Sequence, residues 1–95
     1  MELDNQNLDE VMTDDLTIVD YYAPWCGPCK MLAVELESLE NVKIIKVNID
    51  IHKELAQKKE IMSIPYVEIY KNKELVNKFM GLKYSNEIQE ILNDL

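Results

Sequence analysis

The chain contains no arginine: its ten basic residues are all lysines, set against eighteen acids for a net charge of −8. A surface of that sign repels phosphate backbones and anionic membranes, which makes nucleic acid a poor partner and favours solubility. Apolar runs are short, and none approaches the ~20 residues that a membrane-crossing helix needs. The opening Met1-Glu2-Leu3-Asp4-Asn5 has neither the basic nor the apolar region of an export signal. The expected address is therefore the cytoplasm, where thiols are kept reduced. Cysteine is limited to two residues and histidine to one. A zinc site needs four ligands, and only His52 remains beside the cysteines, so no metal is expected. Repeats, low-complexity tracts and linkers are missing as well. With 95 residues, 47% of them apolar, one domain over residues 1–95 with a packed core is expected.

Both cysteines fall in one short stretch, Trp25-Cys26-Gly27-Pro28-Cys29-Lys30. With two residues between them, they can close a disulfide within one helical turn and switch between dithiol and disulfide without refolding. A structural disulfide is a weak reading, because so short a loop removes little entropy from the unfolded chain. In a cytosolic strand–helix–strand context this spacing points to redox chemistry. A helix opening at Cys26 aims unpaired N–H groups and its positive dipole end at the first sulfur, favouring thiolate over thiol. Pro28 suits the first turn, where its missing N–H costs nothing. Gly27 lets another backbone approach closely.

The flanking pattern supplies that context. Leu16-Thr17-Ile18-Val19-Asp20-Tyr21-Tyr22-Ala23 is β-branched and aromatic and reads as a central strand covered on both faces. Pro24 ends it. From Cys26 to about Glu40, the positions Cys29, Leu32, Leu36 and Leu39 follow helical spacing. Val42 to Ile49 reads as a second buried strand, and Asp50 as the cap of a helix reaching about Glu60. Tyr66 to Tyr70 and Leu75 to Met80 form an edge hairpin, and Ser85 is placed to cap a last helix through Leu95. Asn7 to Met12 is weakly helical, and Met1 to Leu3 is a possible short edge strand. The order (β)αβαβαββα implies a parallel half joined to an antiparallel half.

Some residues break these patterns. Asp20 interrupts a strand otherwise built for burial, which would raise its pKa and suit it to passing protons to a resolving thiol. Lys46 interrupts the second strand similarly. If the strands are neighbours, the two can pair beneath the cysteines; alternatively each is a strand-end charge reaching solvent. Ser63-Ile64-Pro65-Tyr66 places a proline at the first residue of a strand, where an X–Pro bond can be cis. Trp25, at a strand-to-helix corner, is expected at a contact surface. His52 and the other charged residues are expected on solvated faces.

With these residues in hand, the chain resembles the thioredoxin family along nearly all its length. Val19 to Met31 is similar to the family's D-[FW]-[WY]-A-x-W-C-G-P-C-K-M pattern almost residue for residue. Lys46-Val47-Asn48-Ile49-Asp50 resembles K-[VL]-[ND]-[IV]-D, and Ile61-Met62-Ser63-Ile64-Pro65 resembles [IV]-x-[SG]-[IV]-P with its cis-proline. Gly81-Leu82 sits where the family has a late Gly-hydrophobic pair. The resemblance implies an α/β thioredoxin fold, with a central mixed four- to five-stranded sheet flanked by helices on both faces. It implies a thiol–disulfide oxidoreductase that reduces protein disulfides, with Cys26 as nucleophile, Cys29 as resolving thiol, Asp20 in proton transfer and Lys46 tuning it. Trp25, Gly27, Pro28, Ile64, Pro65 and Gly81 would form the target groove. No cofactor of its own is implied. Disulfide-containing target proteins and thioredoxin reductase, an NADPH-dependent flavoprotein, would be the partners of a monomer.

The departures bear on stability and preference. Val34 stands where many members have a kinking proline, Tyr22 where tryptophan is frequent, and Tyr66 where threonine usually follows the cis-proline. Lys73 and Glu60 replace glycines. Glutaredoxin-like coupling to glutathione would want basic residues and a late Gly-Gly pair, neither of which is evident. A strong oxidant would carry histidine between the cysteines, and a non-redox binding module would not need the thiols.

Overall fold

The computed structural model describes residues 1–95. Its central strand, β1 (Leu16–Tyr22), is buried from Thr17 to Tyr21, as its apolar run requires. Strand β2 (Lys43–Asn48) runs parallel to β1, while β3 (Tyr66–Lys71) and β4 (Glu74–Met80) add antiparallel pairs, giving the order β2-β1-β3-β4. A parallel pair needs a crossover, which α2 (Gly27–Glu37) provides between β1 and β2. The remaining helices are α1 (Leu8–Val11), α3 (Lys53–Lys58) and α4 (Ser85–Asn93). The mixed four-stranded sheet and the element order agree with expectation.

Strand alternation sorts the core into two layers. Ile18, Val67 and Ile69 pack with Leu32 and Leu36 of α2 and Ile88 and Leu92 of α4. Val19, Tyr21, Ile45, Val47 and Tyr70 form the other layer with Leu3 and Met12, covered by residues of α1 and α3. Helices thus cover both faces. Leu32 is fully buried, and truncation to alanine there costs ~2–5 kcal/mol. A third, small cluster unites Ala23, Cys26 and Cys29 with Ile49 and Ile64 at the end of β1.

The expected N-terminal edge strand is reduced to one bridge, Glu2 against Lys46. Leu3 N–H donates to Lys46 O and Lys46 N–H to Met1 O, both at 2.8 Å. Leu3 is buried, and its carbonyl oxygen lies 2.9 Å from His52 Nε2. His52 is therefore half-buried and holds this segment, where the sequence suggested a plain surface residue.

Two expected caps are corrected. Asp50 does not cap α3. The Asn48 side chain accepts the Asp50 N–H at 2.9 Å in an Asx turn, so the N-cap falls on His52 and Asp50 is free for another partner. The helix is also shorter than expected, ending at Lys58. Ser85 is the first residue of α4 and not its cap. Tyr84 holds the cap position, with its N–H donated to Glu87 at 3.2 Å, while Ser85 N–H reaches Glu35 Oε1 at 2.7 Å and ties α4 to α2. In the hairpin, Asn72 and Lys73 both take positive φ, 53° and 64°, the pattern of a type I′ turn.

Candidate active site

Helix α2 starts at Gly27, with Cys26 in extended conformation as its N-cap and Pro28 in the first turn. Cys26 Sγ accepts the Cys29 N–H at 3.2 Å. The sulfur thereby takes the place of a capping oxygen and meets one of the otherwise unpaired amides of the helix start. The two cysteines form a disulfide with a Cα–Cα separation of 5.2 Å, and both are buried. Gly27 and Pro28 are exposed beside them, and the space above Gly27 is open, with no atom within 4 Å of where a Cβ would stand.

Three other segments meet this corner. The Ile64–Pro65 bond is cis, Pro65 is buried, and Ile64 O lies 3.9 Å from Cys26 Sγ. Gly81 N–H donates to Pro65 O at 2.9 Å, with Gly81 at φ +83°, where a side chain would be strained. Trp25 is 69% exposed, and its indole Nε1 donates to Asp50 Oδ2 at 3.0 Å. That hydrogen bond is the role Asp50 takes in place of helix capping. All six expected groove positions therefore lie on contiguous segments around the disulfide.

Beneath them, Asp20 and Lys46 are register partners on β1 and β2. Asp20 is fully buried and neither carboxyl oxygen has a hydrogen-bond partner in the protein. Burial pushes its pKa up to about 6, against the opposing pull of Lys46 and with a smaller push from Glu2. Lys46, half-buried, places Nζ 4.6 Å from the centroid of the Tyr22 ring. The Tyr22 hydroxyl donates to Glu2 Oε1, and burial together with that bond pushes it up to about 12. No three His, Cys, Asp or Glu side chains gather into a metal-binding group.

A strand–helix junction carrying a cysteine pair over a buried acid is matched at the level of the whole chain by the thioredoxin family model, over residues 1–94. The chain belongs to the thioredoxin family. It is 36% identical to thioredoxin of Bacillus subtilis over 94 residues, covering 94% of this chain and 90% of that one. It is 38% identical to thioredoxin of Chlamydia caviae over 92 residues, covering 93% and 90%. A solved mutant thioredoxin from Halobacterium salinarum superposes with a TM-score of 0.89 at 25% identity, covering 99% of this chain and 88% of that one. Chloroplastic thioredoxin z superposes with a TM-score of 0.78 at 31% identity, covering 85% and 78%. This thioredoxin-fold protein is a protein-disulfide oxidoreductase with a redox-active cysteine pair.

Glu68 is the residue that sequence reasoning missed. It was expected among the solvated acids, yet only 3% of it is exposed, and the hydroxyls of Tyr21, Tyr66 and Tyr70 all donate to it. Lys59 Nζ pairs with it at 3.3 Å. Partial burial works against the Lys59 charge, but the bond to Tyr70 and the Glu68 carboxylate outweigh it and raise its pKa. Burial first, and then the Glu68 charge and hydrogen bond, push Tyr66 up to about 12. The available signal was composition: an acid at the centre of an apolar strand, with Tyr66 and Tyr70 two residues away on either side.

Proposed function

We propose that the chain works as one domain in the cytoplasm, as a monomeric reductant of protein disulfides. Cys26 is the attacking thiolate, favoured by the amide that its sulfur already accepts. It attacks one sulfur of a target disulfide, forming a mixed disulfide and releasing the other target sulfur as a thiolate that takes up a proton. Asp20 accepts the Cys29 proton, relayed by water. Cys29 then attacks Cys26 Sγ, closing the Cys26–Cys29 bond and expelling the second target thiolate. The target gains two electrons from this chain and takes up two protons, one that leaves Cys29 by way of Asp20 and one from solvent, because Cys26 enters the cycle already ionised. Thioredoxin reductase would restore the dithiol with electrons from NADPH. Lys46 sets the proton affinity of Asp20 through its charge. Trp25, Gly27, Pro28, Ile64, Pro65 and Gly81 bind the extended target segment.

The observation that carries this reading is the disulfide held in the first turn of α2 with its leading sulfur capped by the Cys29 amide. The test is insulin reduction by dithiothreitol, followed as turbidity. The protein accelerates it and Cys26→Ser does not; coincident curves with and without the protein contradict the proposal.

A further inference from the structure

The redox cycle has no use for Glu68, although it is, with Asp20, one of the two acids that the fold buries. It sits in β3 opposite Val19, on the sheet face away from Asp20. Its oxygens are shared unevenly. Oε1 accepts from Tyr21 at 3.2 Å and Tyr70 at 2.8 Å and pairs with Lys59, whereas Oε2 accepts from Tyr66 alone at 3.1 Å. Lys59 also donates to the Tyr70 hydroxyl at 3.0 Å. A carboxylate, with about four lone-pair sites and no hydrogen, can satisfy all of these donors at once.

The partners define what the hub holds. Lys59 is the C-cap of α3 and Tyr66 is the first residue of β3. Between them, residues 60–65 form neither helix nor strand, and the backbone amides of Met62, Ser63 and Ile64 donate no hydrogen bond within the protein. This segment carries the Ile64 carbonyl that faces Cys26 and the proline that meets Gly81. Its own ladder is too sparse to fix it, so its two ends must. Tyr66 is steadied further by ring contact with Tyr21, 5.6 Å between centroids. Lys59 and Tyr66 also line a hollow of about 460 Å³, shared with Met62 and Met80.

We infer that Glu68 is a positioning residue for target docking: through Lys59 and Tyr66 it clamps both ends of the segment that presents Ile64 and Pro65 beside Cys26. The inference rests on the reading of that segment as part of the target groove. It predicts a division between substrates. A protein target lies along the groove and needs the segment in place, whereas a small aromatic disulfide needs to reach only the Cys26 sulfur.

The experiment compares wild type with Tyr66→Phe, Glu68→Leu and Glu68→Gln. Insulin reduction and reduction of dithiobis(nitrobenzoate) are measured for each, with melting temperature and redox potential alongside. Tyr66→Phe and Glu68→Leu should raise KM for insulin by about five-fold with kcat held within about two-fold. The rate on the small disulfide and the potential should stay at wild-type values, and Glu68→Gln, which keeps an acceptor, should fall between. If Glu68→Leu does not fold, Tyr66→Phe decides alone, since it removes one hydroxyl from a half-buried ring. Insulin KM unchanged in the folded variants, or equal losses on both substrates, overturns the inference. A wild type inert on insulin overturns the redox reading itself, a result distinct from an active wild type with unaffected variants.

Discussion

Asp20 and Lys46 face each other in register across β1 and β2, yet no ion pair closes between them. Lys46 lies over the Tyr22 ring instead, leaving the Asp20 carboxyl without a hydrogen-bond partner in the protein. The lysine therefore moderates the cost of burial from a distance and does not cancel it. The result is an acid raised to about 6, the range that the proposed proton transfer from Cys29 requires.

Replacing Asp20 by asparagine should stabilise the protein at neutral and alkaline pH. Its pKa is about 6 folded against 3.8 for the free side chain. The unfolded chain thus loses this proton first, and stability falls as pH rises from about 4 to about 6 and stays reduced above. The difference corresponds to at most ~3 kcal/mol. Urea denaturation at pH 8 and pH 4 should show the gain at pH 8 only. Turnover should fall by about ten-fold or more at pH 7 as the proton acceptor is lost.

Lys46→Met and Glu2→Gln should move the same titration in opposite directions. Without the lysine, burial acts unopposed and the Asp20 pKa rises; without Glu2, a like charge is gone and it falls. The Glu2 effect is the smaller, since Glu2 is exposed and solvent screens it. The pH dependence of the rate of resolving the mixed disulfide reports both shifts. Displacement of both variants to the same side would contradict the assignment.

Cys29→Ser should convert the protein into a trap. The Cys26 thiolate can still attack a target disulfide, but nothing within the chain remains to expel it. Incubation with an oxidised target should give a covalent complex on a non-reducing gel that dithiothreitol dissolves. The wild-type couple should titrate near the reference value for thioredoxins as a class, about −270 mV, with Trp25 fluorescence as the readout.

Much of this site was legible because its signals are local. A Cys-Gly-Pro-Cys turn after a β-branched strand specifies a helix start at the sulfur, and β1 places Asp20 beneath it. The element order followed equally from periodicity. Failures came where long-range partners decide. Asp50 carries the composition of a cap, but its oxygen goes to Trp25, 25 residues earlier. Glu68 looks solvated in an alternating strand until Tyr21 and Lys59 arrive from two other elements. His52 is a solvated helix-start residue by sequence and a clasp in space, because Leu3 is folded against it.

Lys73→Gly should stabilise the hairpin by ~1 kcal/mol. Asn tolerates the left-handed conformation at position 72, but Lys73 is held there at φ 64° with a Cβ that crowds its own backbone. The gain is net of the extra freedom that glycine adds to the unfolded chain. Thermal unfolding measures it, with activity unchanged because the turn lies at the far end of β3 from Pro65.

The single rung between Glu2 and Lys46 also links motion to chemistry. A segment held by one rung opens more readily than a strand with a full ladder. Opening of this rung would lift away the carboxylate bound to Tyr22 and take one negative charge from the surroundings of Asp20. Leu3, wedged into the core, opposes that opening. An apolar side chain packed on one face of the sheet thereby bears on the acidity of a carboxyl on the other.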